Sequence, residues 1–190
     1  MLVEIAQPAF AVGLDITYAT AKNFTGAPVY DRPGCYLHRD AADRLQVAIG
    51  LAQAQDLKLL VFDAFRPASA QWALWTHTPD PVFLADPRLG SPHTRGVAVD
   101  LTLANGAGAP LDMGTEFDAF TPLSHHGVTS ISAAAQKNRL VLLGLMTASG
   151  WAMNPHEWWH YQLPDAVRYP LLDEDALPSP MMAIDKIGGL

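Results

Sequence analysis

A single cysteine, Cys35, occurs in the 190 residues of this chain. One thiol excludes an internal disulfide framework and any cysteine-based zinc knuckle, and it suits a reducing compartment. Basic residues are scarce too: 12 Lys+Arg stand against 19 Asp+Glu, giving a formal net charge of −7. Without a basic cluster there is no electrostatic footprint for nucleic acid, and none for an anionic membrane surface. No apolar run approaches the ~18–20 residues that a membrane span requires. The first eight residues lack a basic n-region, and Glu4 and Pro8 interrupt their apolar run, so they do not read as a signal peptide. A cytoplasmic protein is the expectation. Internal repeats, low-complexity tracts and linkers are equally absent. That leaves one domain over 1–190, irregular from about residue 164, with an oligomeric state that cannot be read from the sequence.

What is present is core-forming: 49% of the residues are hydrophobic and 16% charged. A chain of this length buries a substantial core in one domain. Residues 10–18 alternate loosely with aromatic and β-branched members and predict a strand. Asp40 is a candidate N-cap for a helix over 41–55, which puts Leu45, Ala48, Ile49 and Ala52 on one face. Residues 58–65 form a nearly continuous apolar run broken by Asp63, a buried strand whose end delivers Arg66. Pro67, suited to a first helical position, opens a short helix carrying Trp72 and Trp75. Residues 78–90 hold three prolines and predict an irregular loop of the length that often binds something. Residues 97–103 alternate with period two, which places Asp100 on the polar side of a half-buried strand. A hairpin-like turn at Asn105–Gly108 follows. A helix over 133–149 is expected with Ser132 as its cap and Gly150 as its stop, and then a last strand over 158–163.

Two polar islands in apolar surroundings carry the candidate chemistry. The first is Ser91-Pro92-His93-Thr94-Arg95-Gly96-Val97-Ala98-Val99-Asp100, and the second is Glu157-Trp158-Trp159-His160-Tyr161. A catalytic zinc takes three nitrogen or oxygen ligands and keeps a fourth position open. His93 and Asp100 supply two from one loop-and-strand unit, with Gly96 allowing the tight turn between them. His160 is the natural third. Glu157 is then the candidate base, taking a proton from the attacking water and returning it to the leaving amine. On a regular strand residues 157 and 160 point to opposite faces, so their convergence requires a bend or bulge, for which Pro155 is a plausible cause. Arg66 is the candidate for steadying an oxyanion; on spacing alone, an Asp63–Arg66 ion pair closing a strand end is an equal reading. His38, His77 and His156 read as ordinary structural histidines, and adjacent His125 and His126 are poorly placed to chelate one ion.

Ser91-x-His93-x-x-Gly96-x-Ala98-x-Asp100 followed by Glu157-Trp158-Trp159-His160 resembles the zinc D-alanyl-D-alanine peptidases, most of all the VanX-type D-alanyl-D-alanine dipeptidases. The resemblance extends through Tyr18-Ala19-Thr20, Asn23-Phe24-Thr25-Gly26, Asp63-Ala64-Phe65-Arg66-Pro67, Met113-Gly114, Phe117-Asp118 and Ser124-His125-His126, covering roughly residues 16–163. It implies an α+β fold, a small mostly antiparallel sheet flanked by helices, of the hedgehog-like type. It implies one zinc ion held by His93, Asp100 and His160, Glu157 as base and Arg66 as transition-state stabiliser. On the substrate side it implies Tyr18 and Asp118 around the free amino group, Ser91 near the carboxylate, and Asp63 supporting Arg66. The expected activity is hydrolysis of D-Ala-D-Ala, a small dipeptide, for D-alanine recycling or glycopeptide resistance. The alternatives are a D,D-carboxypeptidase or endolysin acting on longer wall peptides, and a zinc-binding module without activity. The chain departs from the family's pattern at Pro92, where some relatives carry a polar residue, and at Phe65, commonly tyrosine.

Overall fold

Seven consecutive buried residues, Ala98–Ala104, form the strand on which the rest of the molecule is assembled. In the computed structural model, which describes residues 1–183, the strands are β1 (Leu2–Glu4), β2 (Gly13–Leu14), β3 (Tyr36–His38), β4 (Lys58–Asp63), β5 (Ala98–Ala104), β6 (Ala152–Asn154) and β7 (Glu157–Gln162). The helices are α1 (Arg39–Gln53), α2 (Ala68–His77) and α3 (Ala133–Ala148). Five strands make one sheet in the order β2-β4-β5-β7-β6, antiparallel except for the β2–β4 pair. β1 and β3 form a separate antiparallel ribbon. The expected α+β class with a small, mostly antiparallel sheet is what the chain adopts.

β5 is buried on both faces, so the half-buried strand expected there is corrected. β4 and β7 pair with its two edges, and what packs on the two faces of the sheet, α3 among it, leaves neither face of β5 to solvent. Asp100 is 2% exposed and Thr102 1%. Polar groups so deeply placed need partners, and for Asp100 these prove to be the other residues of the site.

α1 begins at Arg39, two residues before the expected start, because His38 and not Asp40 is its N-cap: His38 Nδ1 accepts from the Asp40 amide at 3.3 Å. Its predicted face is buried, with Leu45, Ala48, Ile49 and Ala52 each at most 2% exposed. α3 is capped as expected, Ser132 Oγ accepting from the Ala135 amide at 3.0 Å. The strand expected over 10–18 shrinks to Gly13–Leu14. The Asp15 amide still donates to the Val61 carbonyl at 2.9 Å, but Thr17–Ala19 then turns as a 3₁₀ helix and drops Tyr18 into the interior. There the Tyr18 carbonyl accepts from the amides of Val29 and Tyr30. β6 was not anticipated; it pairs with β7 across a tight hairpin.

Residues 164–183 are irregular as expected but firmly packed. Leu177, Met181 and Met182 are buried, and the Met181 carbonyl accepts from the amides of Asp31 and Arg32. Glu174 takes the amides of Met181 and Met182, which fixes the turn. Cys35 is buried and unpaired with any other thiol. No helix among the described residues is long and apolar enough to cross a membrane.

Candidate metal centre and active site

Asp100 and His160 are directly opposed on β5 and β7. His160 Nδ1 lies 3.0 Å from Asp100 Oδ1, and His93 Nε2 lies 3.2 Å from Asp100 Oδ2. The two imidazoles face each other, His93 Nε2 to His160 Nδ1, at 3.1 Å. His93 reaches this point because the turn before β5 reverses at Gly96, whose φ is +68°. A Cβ there would meet Leu2 Cδ2 at 2.7 Å and the His38 amide nitrogen at 3.1 Å, so the left-handed turn and its close neighbours favour glycine.

The outer ring nitrogens settle the tautomers. His93 Nδ1 sits 2.6 Å from the Ala64 carbonyl and must donate to it. His160 Nε2 sits 3.2 Å from Gln162 Oε1 and donates there. Each imidazole is thereby left with a lone pair on its inner nitrogen, and both lone pairs point at the same spot beside a carboxylate. Two lone pairs and an anion repel one another unless a cation lies between them. Their ligating atoms all lie within 4.8 Å of one another, with every residue buried. Two nitrogens, each ring with a fixed outer partner, and a carboxylate oxygen form a candidate metal-binding group of the kind a catalytic zinc uses.

Electrostatics agree with the geometry. Burial pushes the Asp100 carboxyl up, but the His93 and His160 imidazoles overcome this and hold it well below the usual carboxylate range. Burial opposes charge on His160, yet the Asp100 carboxylate beside its Nδ1 raises its affinity for a proton, as for any cation.

Glu157 approaches the same point. The register of β6 and β7 shifts between Met153 and Asn154, so Asn154 pairs with Glu157 across the hairpin. With that irregularity, Glu157 Oε2 comes within 3.9 Å of His160 Nδ1. The convergence that a regular strand forbids, and that required a bend or bulge, comes with this register shift. Asn154 Nδ2 donates to Glu157 Oε2 at 2.7 Å, leaving the other carboxylate oxygen without a protein donor from this residue. Burial raises Glu157 to about 7 against the pull of His160, the range suited to a proton shuttle at neutral pH.

Arg66 closes the opposite wall. Its Nε donates to Asp63 Oδ2 at 2.8 Å, its Nη1 to Gln71 Oε1 at 3.0 Å, and its Nη2 reaches Asp100 Oδ2 at 3.4 Å. Its guanidinium also stands 5.0 Å from the centre of the Tyr18 ring. Asp63 is in turn held by the Tyr30 hydroxyl at 2.7 Å. The Asp63–Arg66 ion pair that the spacing suggests is formed, and the same guanidinium lines the site's cavity. Tyr18 donates to Asp118 Oδ2 at 2.7 Å. Asp118 has φ of +58°, a strained setting for a residue with a Cβ, and burial pushes its carboxyl well above the usual range.

These groups surround a cavity of about 200 Å³ lined by Tyr18, Arg66, His93, Asp100, Asp118, Glu157 and His160, with Asn154, Trp159 and Gln162 alongside. Ser91 is buried beside it and its Oγ accepts the His93 amide at 3.2 Å. Asp63 likewise stands behind the wall, as the partner of Arg66. The loop 78–90, expected to be irregular and involved in binding, contributes Pro81 to Ala85 to the cavity lining. Asn154, Gln162 and Gln71 were not foreseen. Gln162 lies two residues beyond His160 on the same strand face, a spacing that would have pointed to it. The remaining histidines lie elsewhere: His38 caps α1, His77 packs on Phe24, His125 packs on His156, and His126 packs near Tyr161.

A larger hollow of about 870 Å³, lined by Phe62, Thr102, Met113, Phe117 and Trp158 among others, contains none of the residues of the metal group. The candidate metal group lines the smaller one.

Comparison with known proteins shows the family. A family model described as "D-ala-D-ala dipeptidase" matches residues 1–179. A D-alanyl-D-alanine dipeptidase of Escherichia coli is 43% identical over 171 residues, covering 90% of this chain and 89% of the relative. Proteins of the same name from Enterococcus faecium and Streptomyces coelicolor are each 35% identical. They cover 80% and 78% of this chain, and 85% and 84% of their own lengths.

Proposed function

The chain belongs to the D-Ala-D-Ala dipeptidase family of metallopeptidases, and from that premise we propose how its own residues carry out the hydrolysis of D-alanyl-D-alanine to two D-alanines. The observation that carries the proposal is the convergence of two tautomer-locked imidazoles, Asp100 and Glu157 on one point of a small buried cavity. His93, Asp100 and His160 would hold one zinc ion. Bound there, zinc supplies Lewis acidity to the scissile carbonyl and makes water a better nucleophile at neutral pH.

The chain's residues do the rest. Glu157 takes a proton from the attacking water and delivers it to the leaving amine nitrogen. Asn154 aims that carboxylate by holding Oε2. Arg66 places a fixed positive charge where the carbonyl oxygen becomes an oxyanion, and Asp63 and Tyr30 keep it from swinging away. Asp118, with Tyr18, receives the ammonium of the substrate. A cation next to Asp118 stabilises the charged carboxylate that burial alone disfavours. The substrate's carboxylate belongs on the side of Ser91. At about 200 Å³ the cavity is below the ~300–1,000 Å³ of drug-sized ligand sites, which suits two small residues better than a peptide strand. An acidic chain with one buried thiol supports a cytoplasmic enzyme acting on a free dipeptide.

The discriminating experiment compares D-alanine release from D-Ala-D-Ala and from N-acetyl-D-Ala-D-Ala. The free dipeptide should be turned over far faster, because acylation removes the charge that Asp118 receives. Faster turnover of the acylated substrate would show a D,D-carboxypeptidase instead. Release from neither would leave a metal-binding module.

A further inference from the structure

The loop 78–90 contributes to the cavity lining and is held at several points, with Leu84 buried in the core and two further anchors beside it. On one side Phe83 stacks on Phe120, ring centres 4.9 Å apart and planes 3° from parallel. On the other, Gln71 Nε2 on α2 donates to the Ala85 carbonyl at 2.7 Å. Gln71 is 1% exposed, and its other amide atom faces inward: Oε1 accepts from Arg66 Nη1 at 3.0 Å. One buried amide therefore bonds the guanidinium with its oxygen and the backbone of the cavity's cover with its nitrogen. Few side chains can do this. A carboxylate cannot donate to a carbonyl, and an ammonium cannot accept from a guanidinium.

We propose that Gln71 is a positioning residue that keeps Arg66 and the Pro81–Ala85 cover in register. Seating the cover over the dipeptide and presenting the guanidinium to the carbonyl are then one event. Gln71 stands behind the cavity wall, so it acts through these two partners and not by touching substrate. The inference rests on the dipeptidase reading above.

Two substitutions of similar size separate the two bonds. Gln71→Glu keeps an oxygen against Arg66 but has no N–H for Ala85, whereas Gln71→Met loses both. Gln71→Glu should raise KM for D-Ala-D-Ala about five- to ten-fold, the effect of one lost hydrogen bond, and lower kcat far less than Gln71→Met does, because the guanidinium stays held although the added carboxylate offsets part of its charge. Gln71→Met should raise KM similarly and also lower kcat on the order of 10²-fold, because the guanidinium is no longer held. Trypsin cleavage after Arg88, exposed on the same loop, should accelerate in both variants, and this readout needs no turnover. The proposal is overturned if the two variants change kcat and KM alike, if Gln71→Glu matches the wild type, or if the tryptic rate is unchanged in both. Should Gln71→Met not fold, the kcat–KM split in Gln71→Glu and its tryptic rate still decide. A wild type that releases no D-alanine would sink the dipeptidase reading, and the tryptic comparison alone would then judge whether Gln71 holds the cover.

Discussion

His93 and His160 each use one ring nitrogen to fix the direction of the other. For His93 the outer partner is a main-chain carbonyl, which no substitution removes; for His160 it is Gln162. Gln162→Leu should therefore weaken metal binding about 10–100-fold, measured by competition with a chromophoric chelator. Unchanged affinity would mean that the His160 ring is oriented by other contacts. Arg66 is a second test at this scale. Lysine retains the charge but not the fork that binds Asp63, Gln71 and Asp100 together, so Arg66→Lys should lower kcat on the order of 10²–10³-fold. Steady-state kinetics with D-Ala-D-Ala would show it.

His126 offers a test of stability instead of activity. Burial, and Arg139 nearby, depress it to about 4, and its Nε2 is buried without a hydrogen-bond partner. An unfolded histidine titrates near 6.5, roughly. Between the two values the unfolded chain binds the extra proton, so this contribution is intact above about 6.5 and is lost as pH falls towards 4. Melting temperature should fall through that window, and fall less steeply in His126→Gln. Equal slopes would remove His126 from the explanation.

Among the elements, those defined by their own periodicity were legible in the sequence. α1 and α3 could be seen from the apolar spacing and the Ser132 and Gly150 signals, and β5 from its alternation. The candidate metal group was legible because a histidine, a glycine and an aspartate fall where a turn runs into that strand. Pairing-dependent elements were not. β2 has two residues and β6 three, too few for a periodic signal; both exist because β4 and β7 offer them open edges. The register shift that turns Glu157 towards His160 belongs to the β6–β7 hairpin, so the sequence could state it only as a requirement. The contribution of 81–85 to the cavity depends on Gln71 and Phe120, both distant in sequence, and irregular loops carry no such pattern.

Gly96 tests this scale. Its left-handed φ and its closeness to Leu2 and His38 disfavour a side chain. Gly96→Ala should destabilise the fold by ~1–3 kcal/mol from backbone strain, with more if β1 and β3 must shift. Chemical denaturation of the metal-free variant would measure it, and a loss near zero would show the turn to be more yielding than its contacts suggest.

At the scale of the whole molecule, the site joins elements from both halves of the chain. β5 carries Asp100, the turn before it carries His93, β7 carries His160 and Glu157, and the end of β4 leads into Arg66. A metal ion bound to three of these would tie the centre of the sheet to the turn packed against β3. Metal at a hundred times its dissociation constant should stabilise the fold by about 2.7 kcal/mol, visible as a rise in melting temperature that a chelator reverses. A melting temperature indifferent to metal would place binding elsewhere or nowhere.

The most direct test measures zinc content and D-alanine release together, in the wild type and in Glu157→Gln. Both proteins should hold one zinc per chain, since glutamine leaves His93, Asp100 and His160 intact. Only the wild type should release D-alanine from D-Ala-D-Ala, with its activity abolished by a chelator and restored by zinc. Full release by Glu157→Gln, or by the metal-stripped wild type, would contradict the assignment of base and metal to this site.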